Sequence, residues 1–213
     1  MKTILCYGDS LTWGSDVETG GRHRHDDLWP VVLQKALGDK AQVIAEGLRG
    51  RTTAYDEHLA DCDRNGARIL PTVLYTHAPL DLVILLLGTN DMKPAIAGTA
   101  VAALQGMRRL ISQVQVNALR DGASEPPALL VVAPPRLRET ANHEYSAMFA
   151  GGVEQSSMLA QLYADLADES GCGFFDAGSV ARTTPIDGVH LDAENTRAIG
   201  KGLEPIVRMM LGL

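Results

Sequence analysis

A serine at position 10 stands in the string Gly8-Asp9-Ser10-Leu11, directly after a short apolar run. A serine hydroxyl is a poor nucleophile until a base takes its proton, so a chemical role demands an imidazole within reach and room for a carbonyl. Such an imidazole lies far downstream in Asp187-Gly188-Val189-His190, with a carboxylate three residues ahead of it. Gly188 permits a tight bend, on which Asp187 would accept a hydrogen bond from Nδ1 of His190 and leave Nε2 as general base. Both strings also have plainer uses. Asp and Ser after a strand cap helices and form turns, and Asp-x-x-His equally describes a turn aspartate beside a surface or helix-capping histidine.

Two further loops offer what a developing oxyanion needs. Gly47-Leu48-Arg49-Gly50-Arg51-Thr52-Thr53 contains Gly50, whose backbone N–H can approach a ligand unobstructed. Gly88-Thr89-Asn90-Asp91 contains Asn90, an amide donor that keeps its charge state at any pH. Glycine turns with polar caps are the alternative for each loop.

These four strings need a scaffold that carries them to one place. Short apolar runs bounded by turn residues occur at 3–7, 42–45, 82–87, 129–133 and 173–175, each of a length suited to a buried strand. Between them, Leu104, Met107, Ile111, Val114 and Ala118 recur at helical spacing, as do Ile199, Leu203, Ile206 and Met210. Strands that are apolar throughout must be covered on both faces, so the alternation predicts an α/β fold: a five-stranded parallel sheet in three α/β/α layers. Ligands of such sheets bind beyond the carboxyl ends of the strands, where three of the four strings lie. The linker-like stretch 121–127 is too short to separate domains, and nothing repeats, so residues 1–213 read as a single domain.

Composition excludes some classes. With 46% hydrophobic and 21% charged residues the chain lies outside the disordered regime. A net charge of -7 repels phosphate backbones and anionic lipid heads, so neither nucleic acid nor membrane is an expected partner. The longest apolar run, 82–87, falls far short of the ~20 residues that span a bilayer, and the run within the first ten residues is too short for a signal-peptide core. Three cysteines, odd in number and without a C-x-x-C pair, fit a reducing compartment, and a cytoplasmic location is expected.

Together, Gly-Asp-Ser-Leu near the start, a glycine after the second strand, Gly-Thr-Asn-Asp after the third and Asp-x-x-His near the end resemble the four sequence blocks of the SGNH (GDSL-type) hydrolases. The likeness spans residues 7–191. The longer strings GDSLTWG, EGLRGRTT, PLDLVILLLGTND and FFDAGSV resemble the bacterial arylesterase and acyltransferase branch of that superfamily. The resemblance implies a flavodoxin-like sheet in order 2-1-3-4-5, no metal and no cofactor, and hydrolysis of short-chain and aryl esters through an acyl-enzyme, with acyl transfer to alcohols in some members. It also implies homo-oligomers, often octamers, acting on small esters. Position by position it makes Ser10 the nucleophile, Asp187 and His190 the rest of a triad, and Ser10 N–H, Gly50 N–H and Asn90 the oxyanion hole. Residues 15–27 depart from the pattern of that branch, which bears on subunit contacts and substrate range.

Rival readings share the same sequence. A carbohydrate O-acetyl esterase would use the same triad, and a non-catalytic ligand-binding module would use the same sheet. The cluster Arg22-His23-Arg24-His25-Asp26-Asp27 has ligand-type side chains for a metallohydrolase, although its arginines oppose a cation and a solvated loop or subunit contact is the alternative. Trp13 and Leu11 are candidates for lining the substrate pocket, against simple core packing. Arg51 is expected to brace loops through forked hydrogen bonds, while Arg49 and Arg136 suit the surface. Cys6 reads as a small core residue.

Overall fold

Side chains that alternate along β1 (Lys2–Gly8) decide what each layer must cover. The computed structural model describes residues 1–118 and 125–213, so the stretch 121–127 lies partly outside the described residues. Ile4 and Cys6 enter one apolar cluster and Leu5 and Tyr7 the other, all four fully buried. The same division runs through β3 (Leu82–Leu86), with Leu82, Ile84 and Leu86 on the first face and Val83 and Leu85 on the second.

The sheet has order β2-β1-β3-β4-β5, with β2 at Ala41–Gly47, β4 at Ala128–Ala133 and β5 at Gly173–Asp176, and every pairing is parallel. All five expected strands form. The first face is covered by α1 (Trp29–Leu37) and α5 (Ala193–Leu211) through Trp29, Leu33, Ile199, Leu203 and Val207. Residues of α2 (Gly66–His77), α3 (Ala100–Ala118) and α4 (Leu159–Ser170) cover the second, among them Leu70, Met107, Ile111 and Tyr163. Each large aliphatic side chain buried this way contributes roughly 1.5–3 kcal/mol, so the helices are held by their apolar stripes more than by helix propensity. Burial on both faces fails only at the rim of the sheet: β2, an edge strand, leaves Gln42 and Ala45 exposed. Among the described residues no helix is long and apolar enough to cross a membrane.

Register then positions the loops. Gly8 pairs with both Gly47 and Leu86, so β1, β2 and β3 end in one row. The chain leaves β1 for β2 on one side and returns past it to β3 on the other, which makes the β1–β3 boundary the switch point where parallel sheets open a crevice.

Candidate active site

Ser10 begins a single helical turn, Ser10–Trp13, immediately beyond β1. Asp9 caps that turn by accepting the Leu11 N–H at 2.9 Å, which holds the serine at the strand end. Ser10 is nearly covered, at 5% exposure, and lines a cavity of about 890 Å³.

The segment between β5 and α5 brings the other two groups. Oδ1 of Asp187 accepts the backbone N–H groups of Val189 and His190, both at 2.9 Å, which folds the segment into a tight loop. Gly188 makes the loop possible: its φ is +77°, and a Cβ there would lie 2.2 Å from the Arg138 carbonyl oxygen. Oδ2 of Asp187 lies 2.6 Å from Nδ1 of His190, and Nε2 of His190 lies 3.0 Å from Oγ of Ser10. With Nδ1–H donated to the carboxylate, Nε2 is left to accept the serine proton. Tyr145 stands edge-on to the imidazole, with ring centroids 6.1 Å apart. Burial tends to raise the Asp187 pKa, but the bonds from the His190 side chain, the His190 N–H and the Val189 N–H outweigh it and hold the carboxyl below its ordinary value.

Asn90 opens the short 3₁₀ turn Asn90–Met92 after β3, and its Nδ2 donates to the Arg51 carbonyl at 3.1 Å. Gly50, with φ at +81°, lines the same cavity as Ser10, Asn90 and His190. Neither the Ser10 nor the Gly50 N–H donates to another group among the described residues. Hydroxyl, imidazole, carboxylate and three further N–H donors therefore share one end of the sheet, the equipment of acyl transfer.

The family model described as GDSL-like lipase/acylhydrolase matches residues 6–197. The chain belongs to that family. Its fold matches a carbohydrate acetylesterase family member from Sinorhizobium meliloti at 70% identity and TM-score 0.98, over 100% of both chains. The native aryl esterase of M. smegmatis is 42% identical at TM-score 0.93, and a second carbohydrate acetylesterase from Sinorhizobium meliloti is 39% identical at 0.92. Each match covers 99% of this chain and 100% of the other. Among curated proteins none matches.

In this GDSL-like chain the two candidates for lining the pocket are placed elsewhere. Leu11 is 3% exposed and packs in the core with Ile4, Leu33 and Ile199, because it follows Ser10 on a helical turn and is rotated roughly 100° from it. Trp13 lies between the guanidinium groups of Arg22 and Arg49, 5.2 and 5.3 Å from its ring, and is not part of the cavity wall. The walls are instead formed by Tyr145, Met148, Phe149, Ile96 and Lys93. Tyr145, Met148 and Phe149 come from the short helix His143–Met148 and its C-cap, and Lys93 and Ile96 from the segment after Asn90–Met92, two stretches remote in sequence from each other and from Ser10.

The 22–27 cluster also disperses. His23 Nε2 meets the Leu191 carbonyl at 3.0 Å, Asp26 pairs with Lys35, and Asp27 pairs with Arg197. Among the described residues no group of three His, Cys, Asp or Glu is arranged to hold a metal ion. The contact from His23 ties the departing 15–27 loop to the residue that follows His190.

Arg51 braces the floor of the site, though from a single nitrogen rather than through the expected fork. Nη1 donates to the carbonyls of Gly8, at 2.8 Å, and of Glu46, and the guanidinium lies 4.0 Å over the Tyr7 ring. Asp91, adjacent to Asn90, is fully buried and accepts from Thr53 N–H and, at 2.5 Å, from Thr53 Oγ1, which pins the third loop to the second.

Burial pushes Asp9 up to about 6, and Asp91 adds to the rise, while the Leu11 N–H and His190 oppose it; burial likewise lifts Asp91 to about 6 against its bonds from Thr53. A folded-state pKa above the ordinary 3.8 means that protons favour the fold, so this contribution is present below about pH 4 and is lost as pH rises through about 6. Asp9→Asn removes the titration at that position. Relative to the variant, the native protein should lose melting temperature between about pH 4 and 6; a gap constant over that range would refute the assignment.

Proposed function

We propose that this chain is a serine carboxylic ester hydrolase that works through an acyl-enzyme on Ser10. His190 takes the proton from Ser10 Oγ as the oxygen attacks the ester carbonyl, and Asp187 holds the imidazole in the required tautomer and stabilises its charge. The oxyanion settles among Ser10 N–H, Gly50 N–H and the Asn90 amide. Collapse expels the alcohol, which takes its proton from His190. Water, or an alcohol held in the cavity, then attacks the acyl-enzyme with His190 as base, so one site serves hydrolysis and acyl transfer.

The observation that carries this reading is the unbroken chain of contacts from Ser10 Oγ through His190 to Asp187, at 3.0 and 2.6 Å. Short-chain and aryl esters are the expected substrates, in keeping with the M. smegmatis aryl esterase. The 70% likeness to a carbohydrate acetylesterase family member favours a second reading, with acetylated sugars as substrates of the same residues. One domain spanning the chain, assembled as a homo-oligomer of up to eight copies and with neither nucleic acid nor membrane as partner, completes the proposal. A cytoplasmic location accords with three unpaired cysteines.

Hydrolysis of p-nitrophenyl acetate tests the activity, and its rate against that on acetylated xylose tests the substrate preference. Absence of turnover on both would overturn the esterase assignment. Asn90→Ala should lower kcat by roughly 10²–10³, or about 3–4 kcal/mol of transition-state stabilisation, with a smaller change in KM. A variant impaired only in KM would remove Asn90 from the oxyanion hole.

A further inference from the structure

The cavity beside Ser10 carries a charge bias opposite to that of the chain. Against a net charge of -7, Arg49, Arg64 and Lys93 all line it, together with the carboxylates of Asp56 and Glu57. Asp56 does little to balance them, because its oxygens accept from Arg68, outside the lining, at 2.6 and 2.9 Å and from Asn65 at 2.7 Å. Glu57 is left between two cations: Oε2 accepts from Arg64 at 2.6 Å, and Oε1 stands 3.8 Å from Lys93 Nζ.

Lys93 is the most covered of the three cations. Its side chain is only 12% exposed, yet the ammonium, with three hydrogens to donate, makes no hydrogen bond among the described residues. The ammonium also stands over the face of Phe149, 5.7 Å from the ring centroid. It is left to water in the cavity for its hydrogen bonds, so the position suits a ligand whose acceptors replace that water. The backbone N–H of Lys93 bonds to the Asn90 carbonyl at 3.3 Å, so one short turn carries both the oxyanion amide and this ammonium. An acetyl group fills little of about 890 Å³, which leaves most of the cavity to the alcohol portion of the ester.

We propose that the site selects esters whose alcohol portion carries a carboxylate, and that Lys93 is the residue that reads it. The inference rests on the esterase reading of Ser10 and specifies its substrate class.

The test compares para-carboxyphenyl acetate with the methyl ester of the same acid, on the full chain. The methyl ester has the better leaving group, so intrinsic reactivity works against the expected order. The native enzyme should favour the acid by roughly tenfold in kcat/KM, the effect of one charge-assisted hydrogen bond. Lys93→Arg should keep the preference, Lys93→Gln should abolish it, and added salt should shrink it. Equal rates on the two esters in the native enzyme, or the same preference in Lys93→Gln, would overturn the proposal while leaving the esterase reading intact. Failure to turn over either ester would instead remove the reading on which it rests. If Lys93→Gln does not fold, the arginine variant and the salt series still decide.

Discussion

Ser10→Ala should lower kcat by something approaching ~10⁶, leaving only the residual catalysis of an oxyanion hole and a binding cavity. The magnitude follows from the role. Without Oγ there is no covalent intermediate, and His190 has no nucleophile to activate. The substitution removes one oxygen from a covered position at the start of a helical turn, and the cap from Asp9 to Leu11 N–H does not involve it. The fold should therefore survive, and the loss should be read in kcat with an unchanged melting temperature. Activity within tenfold of native would mean that the acyl group never resides on Ser10.

Asp187→Asn should cost roughly 10⁴ in kcat, less than loss of the serine but far more than loss of a surface ion pair. An asparagine can keep its carbonyl oxygen where Oδ1 accepts from Val189 and His190 N–H, so the loop should hold its shape. Its NH₂ would then face Nδ1 where Oδ2 now stands, 2.6 Å away. Two donors cannot meet there, and the imidazole is driven to the tautomer with its proton on Nε2, unable to accept from Ser10. Kinetics on p-nitrophenyl acetate, with melting curves as the control, check this. A loss below about tenfold would show that Asp187 does not orient His190.

The parts of the site that could be read from the sequence are those with local causes. A strand must end where Gly8-Asp9-Ser10 begins, because the apolar run stops there, and the bend at Gly188 puts a carboxylate and an imidazole three residues apart within reach of each other. The sheet order was legible only through the family likeness, because apolar runs and right-handed crossovers do not say which strand lies beside which. Leu11 and Trp13 misled for a physical reason: closeness to the nucleophile along the chain is not closeness to the cavity, since the turn at Ser10–Trp13 sends one into the core and the other between two arginines. Lys93, Tyr145 and Phe149 belong to no motif, and the short helix that sets Tyr145 and Phe149 four residues apart is too brief to stand out in the sequence. Their place on the wall depends on how the loops after β3 and β4 pack across the mouth of the sheet, which no local rule encodes. Asp91 is intermediate, since its position in Gly-Thr-Asn-Asp was plain but its bond to Thr53 is a tertiary fact.

The central claim is that the hydroxyl at position 10 is chemically activated. Incubation of the native protein with an excess of a small organophosphate, followed by intact mass and peptide mapping, addresses it directly. One adduct per chain is expected, on Ser10, with esterase activity lost in step with its formation and no adduct on Ser10→Ala. Full ester turnover by a protein that takes up no label, or that carries the label on another residue, would contradict the claim.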